Sequence, residues 1–308
     1  MPLSYLGSMF ASTPRSGAPR RRRALTGVLA AAFALSGLLM AGCSSAPASG
    51  SNGAPLKVGM ELAYPPFETK DASGQPSGVS VDFAKALGDY LGRPVEIDNM
   101  AWDGLIPALQ SGQVDAVISS MTITADRETQ ISFSKPYAKA LLALLTNKGS
   151  GITQASDLNQ SGKTVAVKLG STGDSYAQKN LSNAKITELA DESACVTEVA
   201  QGKADAFIYD QLTIYRDQQA NPDTTAAVFI PFQDVEYWGV GVKKDNTDLL
   251  NSINAFIDKF YAENGFDALT TKYLSNEKQA FDQLGFPWFF TDVDNAAAGT
   301  PSDTSTPA

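Results

Sequence analysis

Lys57-Val58-Gly59-Met60-Glu61-Leu62, a loop over Ala63–Gly78 with three prolines, then Ser80-Val81-Asp82-Phe83-Ala84-Lys85-Ala86-Leu87-Gly88-Asp89-Tyr90-Leu91: this is the unit that sets the fold. The first run is short, apolar and bounded by loop residues, which predicts a strand. The second repeats apolar groups at Val81, Phe83, Ala84, Leu87 and Leu91, the spacing of one helix face. Ser80 is expected to cap this helix, and Asp82 suits the positive end of its first turn. Working outward, Val95–Ile97 predicts a strand, Trp102–Leu109 a helix and Val114–Ser119 a third strand. Strand, helix, strand, helix, strand in this order predicts a parallel sheet covered on both faces.

The pattern then changes. Ala138–Thr146 is a long apolar stretch suited to a strand crossing between two lobes. A second set follows: a strand at Thr164–Lys168, a helix after Ser171, a strand at Lys185–Leu189, a helix at Glu192–Gly202 and a strand at Ala206–Tyr209. Ala227–Phe232 and Tyr237–Lys243 predict the return crossing. Leu249–Tyr261 carries Leu250, Ile253, Phe256, Ile257 and Phe260 on one face of an amphipathic helix ended by Gly265, and a last helix is expected at Phe266–Tyr273. The expected fold class is therefore α/β, with two lobes, each a mainly parallel sheet with helices on both faces, and two interlobe crossings. The first lobe is expected at 56–142 and 233–290, the second at 143–232, with hinges at Leu142–Thr146 and Val228–Phe232. In open α/β sheets ligands gather at the carboxyl ends of strands, so the groove between the lobes is the natural site.

The 308 residues, 43% hydrophobic and 19% charged, suffice for a packed unit of this size. Charge is unevenly spread. Five of the 24 basic residues, Arg15 and Arg20 to Arg23, precede Cys43, and no acid does. That leaves 19 basic against 33 acidic residues, a balance of −14. So acidic a body argues against nucleic acid, which is bound by a basic face that displaces counterions. The chain holds no histidine. That excludes Ser-His-Asp and Cys-His catalysis in their usual forms, and any His-ligated metal. No cofactor and no metal are expected.

The N-terminus reads as an address. A basic region ending at Arg23 precedes an apolar run, Ala24–Met40, and then Ala41-Gly42-Cys43, the order of a secretory signal. A start at Met9 in place of Met1 would leave that order intact. A cysteine directly after Ala-Gly resembles the bacterial lipoprotein signal, although Met40 stands where that pattern usually has leucine. The resemblance implies cleavage after Gly42 and a diacylglyceryl group on Cys43, a two-chain anchor sufficient for stable attachment. Residues 43–55 read as a flexible tether and 291–308 as a disordered tail. Cys43 and Cys195 are the only cysteines, so a disulfide is open in principle; with Cys43 alkylated, Cys195 is expected to be a buried, inert thiol.

Four blocks carry a more specific resemblance. Val58-Gly59-Met60-Glu61-Leu62-Ala63-Tyr64-Pro65-Pro66-Phe67-Glu68 resembles the start of the bacterial family 3 solute-binding proteins, which receive polar amino acids for ABC importers. Trp102-Asp103-Gly104-Leu105-Ile106-Pro107-Ala108-Leu109 is similar to the second block. Asp115-Ala116-Val117-Ile118-Ser119-Ser120-Met121-Thr122-Ile123-Thr124 with Arg127 is similar to the third, and Phe133-Ser134-Lys135-Pro136-Tyr137 to the fourth. The likeness runs from about Leu56 to Ser275. It implies a type II periplasmic-binding-protein-like fold and a monomeric, lipid-anchored receptor on the outer face of the cell membrane. That receptor would close on a free amino acid and deliver it to a membrane permease.

A free amino acid presents a carboxylate, an ammonium and a side chain. The planar fork of Arg127 suits the carboxylate. The resemblance implies that role, with Thr122 adding a hydroxyl and Ser120 turning its carbonyl to the ammonium beside Ser119. In the second lobe, Gly170-Ser171-Thr172-Gly173 follows a strand and opens a helix, so its N–H groups suit an anion; Ser171 and Thr172 are the residues expected there. Asp210 stands where the family places the acid for the ammonium, though it would also serve as a helix cap. Tyr64 and Trp102 are expected to wall the side-chain pocket. Glu61 sits where the family often has an acid near the ligand's polar end, in members for neutral ligands too. Arginine, lysine, glutamine and cystine all remain open. Two rivals are a dehydratase of the same family, with Glu61 or Asp210 as acid or base, and a sensor module.

Overall fold

The computed structural model describes residues 53–291 and 293. The signal, Cys43, most of the tether and the tail beyond Val293 lie outside the described residues. β1 (Leu56–Met60) leads into a loop that holds a small antiparallel ribbon, β2 (Thr69–Lys70) with β3 (Pro76–Ser77), which the proline-rich sequence did not announce. α1 (Val79–Leu91) follows, then β4 (Val95–Asn99), a 3₁₀ turn at Trp102–Gly104, α2 (Leu105–Ser111), β5 (Ala116–Val117), α3 (Ala125–Glu128) and β6 (Ser132–Phe133). Ser80 does not cap α1. The N-cap is Gly78 at φ 122°, and a Cβ there would lie 2.3 Å from the Phe67 carbonyl oxygen. Only glycine fits that close approach.

The crossings differ from expectation. β7 (Ala138–Ala140) and β8 (Leu142–Asn147) are separate strands with separate partners. After them come β9 (Thr164–Lys168), α4 (Thr172–Asn180), β10 (Lys185–Leu189), α5 (Glu192–Ala200), β11 (Ala206–Asp210), α6 (Gln211–Ala220) and β12 (Thr225–Val228). The chain returns through β13 (Glu236–Trp238), which pairs antiparallel with β7, and β14 (Gly241–Val242). Leu142–Thr146, expected as a hinge, is thus an inner strand of the second sheet, paired on both edges. β7 and β13 pair in a two-stranded ladder of their own, outside both large sheets.

The first sheet has the order β4-β1-β5-β14-β6, with β4, β1 and β5 parallel and β14 antiparallel to both neighbours. The second has the order β10-β9-β11-β8-β12, with β10, β9 and β11 parallel and β8 antiparallel to both neighbours. Strand alternation divides the second lobe's core into two layers. Leu142, Leu144, Val165, Val167, Ala206 and Ile208 face one layer; Ala143, Leu145, Ala166 and Phe207 face the other.

α7 (Thr247–Ala262) buries Leu249, Ile253, Phe256 and Ile257 in the core of the first lobe, each worth about 1.5–3 kcal/mol if fully buried. α8 (Gly265–Tyr273) and a further helix, α9 (Ser275–Leu284), follow. α9 escaped the sequence reading because only Phe281 of its residues is buried. Its neighbour segment ends in buried Trp288, Phe289 and Phe290, which join the first lobe's aromatic core. The two-lobed α/β class expected from the sequence is the observed one.

Candidate functional site

The carboxyl ends of β1, β5, β9 and β11 converge on one cavity. Glu61, Tyr64, Trp102, Ser119, Ser120, Thr122, Arg127, Ser171, Thr172 and Asp210, the ten residues singled out from sequence, all line it. Glu68, Ala140, Leu142, Tyr209, Glu236 and Trp238 line it as well and were not singled out.

Ser120 follows β5 in the left-handed region, at φ 50°. A non-glycine residue held there costs about 1–3 kcal/mol and is tolerated where the surroundings over-determine it. Its hydroxyl and that of Ser119 donate to Glu68 at 3.1 and 3.4 Å, and Ser119 Oγ also accepts from the Glu61 N–H at 3.0 Å. Burial pushes the Glu68 carboxyl up to about 8, against the pull of the Ser80 and Ser120 hydroxyls, so it is neutral at pH 7. Here Ser80 has a use after all: its side chain serves this acid instead of the helix end.

Arg127 lies in the short helix α3, whose N-cap Thr124 accepts from the Arg127 N–H at 3.3 Å. Its guanidinium donates to the Thr122 carbonyl at 2.7 Å and, across the cleft, to the Gly170 carbonyl at 3.0 Å. Trp102 Nε1 donates to the same Gly170 carbonyl at 3.1 Å. The Arg127 guanidinium carbon stands 5.2 Å from the Trp102 ring centre. Desolvation lowers the pKa of this guanidinium, and the nearby Glu236 carboxylate opposes that shift.

On the second lobe, Ser171 caps α4 by accepting from the Asp174 N–H at 3.1 Å. The Gly170 N–H is spent on Asp174 Oδ2 and the Ser171 N–H on the Lys168 carbonyl. Of the turn expected to present N–H groups, Thr172 and Gly173 keep the first-turn positions that lack an intrahelical acceptor. Gly173 lets α4 press on β11: a Cβ there would lie 2.4 Å from the Ile208 carbonyl oxygen.

Asp210 divides its two oxygens between two jobs. Oδ1 caps α6, accepting from Leu212 and Thr213 N–H at 2.9 and 3.1 Å. Oδ2 is buried and takes no well-formed hydrogen bond among the described residues, although the Tyr64 side chain stands beside the carboxylate. The cap reading of this residue is thus observed, and it occupies one carboxylate oxygen only. Burial raises its pKa, and the capping N–H groups and Tyr64 pull it back. Tyr64 stacks on Phe67 with ring centroids 5.3 Å apart, and meets Tyr209 edge-on at 5.8 Å.

Two charges that sequence reasoning missed shape the cavity. Glu236, on β13, accepts from Thr122 Oγ1 at 3.1 Å and Thr172 Oγ1 at 2.9 Å, one hydroxyl from each lobe. Burial raises its pKa against these donors. Lys168 ends β9 with 2% exposure, and its ammonium pairs with Glu61 across the cleft. The signal for Lys168 was legible: a lone charge closing the run Thr164-Val165-Ala166-Val167, directly before the glycine turn. For Glu236 no local pattern pointed inward.

Two α/β halves closing side chains of both onto one small polar cavity define a solute-binding protein. The model of the bacterial extracellular solute-binding proteins, family 3, matches residues 56–276, and the chain belongs to that family. It is similar to the L-cystine-binding protein TcyJ of Escherichia coli, 31% identical over 220 residues, covering 71% of this chain and 82% of that protein. It is also similar to the L-arginine-binding protein of Pseudomonas aeruginosa, 30% identical over 230 residues, covering 72% and 88%. Among solved structures, an ancestral arginine-binding protein bound to arginine superposes with a TM-score of 0.67 at 36% identity, covering 73% of this chain and 99% of that one. No helix among the described residues is long and apolar enough to cross a membrane. Cys195 is free and buried, and burial pushes its thiol up to about 12.

Proposed function

We propose that this chain is the receptor of an ABC importer for a polar amino acid, held at the outer face of the cell membrane by lipid on Cys43. The observation that carries the reading is that Arg127, from the first lobe, and Asp210, from the second, line one cavity, with Asp210 Oδ2 taking no well-formed hydrogen bond among the described residues. These groups would take opposite ends of one zwitterion: guanidinium on carboxylate, carboxylate on ammonium. Thr122, Thr172 and the first-turn N–H groups of α4 would complete the carboxylate's shell, and the strained Ser120 would turn its carbonyl to the ammonium. Tyr64 and Trp102 would wall the side chain. Each charge contact gains strength as closure expels water.

The lobes would be 56–142 with 233–290 and 143–232, preceded by a signal at 1–42 and a tether at 43–55 and followed by a tail at 291–308. They would hinge at the β7–β13 pair. The ligand-closed form, as a monomer, would be what the permease recognises. The relatives named above are described by the cystine or arginine they bind, which supports a binding role over the dehydratase alternative.

Small-angle scattering and thermal-shift screening over the amino acids test the reading together. A compound that raises the melting temperature and shrinks the radius of gyration supports it. A panel in which no amino acid does either overturns it. Metabolic labelling with palmitate should mark the wild-type protein and not Cys43→Ala; equal labelling of both would remove the lipid assignment.

A further inference from the structure

We propose that Lys168 sets the side-chain specificity of the cleft: by seating its own ammonium on Glu61 it excludes cationic side chains, and the ligand's side chain is uncharged and polar. This rests on the amino-acid-receptor reading above and narrows it.

Glu61 lines the cavity, and the ammonium paired with it stands 5.7 Å from the ring centre of Trp102, which is expected to wall the ligand's side chain. A lysine or arginine side chain would need that acid. It is occupied. Lys168 Nζ donates to Glu61 Oε2 in a buried pair that spans the two lobes. Lysine is almost never fully buried unless paired, and removing one member of such a pair leaves an uncompensated charge.

The aromatic face is taken in the same way. Lys168 Nζ stands 5.7 Å and the Arg127 guanidinium 5.2 Å from the Trp102 ring centre, so the surface that would stack on a ligand cation already faces two of the protein's own. The other acids do not substitute. Glu68 is held by the Ser119 and Ser120 hydroxyls, and Glu236 by Thr122, Thr172 and Gln233 at the Arg127 end. A second cation placed by Lys168 would meet like charge in a water-poor cleft. An anionic side chain would meet Glu61. An amide, or the neutral stem of a longer zwitterion, meets neither penalty.

Calorimetric titration of the purified full chain with glutamine, cystine, arginine and lysine tests this. The expected result is binding of a neutral ligand, with arginine and lysine weaker by about 100-fold, the scale of a like-charge contact at a desolvated site. Lys168→Met, which frees Glu61, should shift the arginine-to-neutral affinity ratio by at least about tenfold toward arginine. Lys168→Met combined with Glu61→Gln should not, because no acid is released. Wild-type protein that binds arginine or lysine as tightly as every neutral ligand overturns the proposal, as does an equal shift in the single and double variants. Should the variants fail to fold, the wild-type ratios decide. The underlying receptor reading fails separately, when no amino acid binds or when Arg127→Ala retains full affinity.

Discussion

Thr172 Oγ1, at the start of α4, donates to Glu236 Oε2, on the return crossing, at 2.9 Å. Thr122 of the first lobe donates to the same oxygen. Glu236 therefore rests on the hydroxyls that a ligand carboxylate would use, beside Arg127. Glu236→Ala should free both hydroxyls and remove a like charge. Ligand affinity is expected to rise about tenfold, equal to about 1.4 kcal/mol, measured by calorimetry. A fall in affinity would show instead that Glu236 holds a positive group of the ligand.

The Arg127 fork is irreplaceable if it grips a carboxylate. Arg127→Ala is expected to cost about 2–5 kcal/mol of binding, the price of leaving a buried charge unpaired. Arg127→Lys should recover only part of it, since a point charge lacks the planar pair of donors. Calorimetry on both variants, with circular dichroism to confirm folding, checks the order.

Acid groups whose burial outweighs the pull of nearby cations make stability fall as pH rises. Glu68 and Glu192 are pushed by burial from 4.5 to about 8, and Asp217 from 3.8 to about 7. Between those limits the folded chain binds protons that the unfolded chain has released, so unfolding free energy declines with pH. The contribution is complete below the lower limit and lost as pH passes through 7 to 8. Urea midpoints near pH 5 and near pH 8.5 should show the higher stability at the acid end, and Glu68→Gln should flatten that slope.

Cys195 is expected to be silent. Its burial and raised pKa leave almost no thiolate at neutral pH. A thiol reagent added to the folded protein should label it only after denaturation; fast labelling of the native chain would contradict the observed burial.

Local pattern announced much of this architecture because it is written in short-range periodicity. The apolar spacing of α1 and α7 and the order of strands and helices needed no knowledge of distant partners. The ten cavity residues were picked out because four blocks resemble the family and imply which positions line its cleft; periodicity alone singles out none of them. What stayed hidden depended on approach in space. Ser80 looked like a cap, yet the close pass of the Phe67 carbonyl gives that place to Gly78. α9 shows too narrow an apolar face to be told from loop. The stretch from Ala138 to Thr146 reads as one strand, and only its partners divide it.

The sequence by itself determined that two α/β lobes would form and that Asp210 would close a strand, since periodicity and chain order dictate both; the part expected of Arg127 came from the family resemblance. Only the tertiary structure decided what the charges do. Lys168 and Glu61 are 107 positions apart, and Glu236 and Thr122 are 114 apart. Electrostatic pairing acts over a few ångströms of space and leaves no trace in chain distance. The cleft's selectivity was therefore settled by which charges folding brings together.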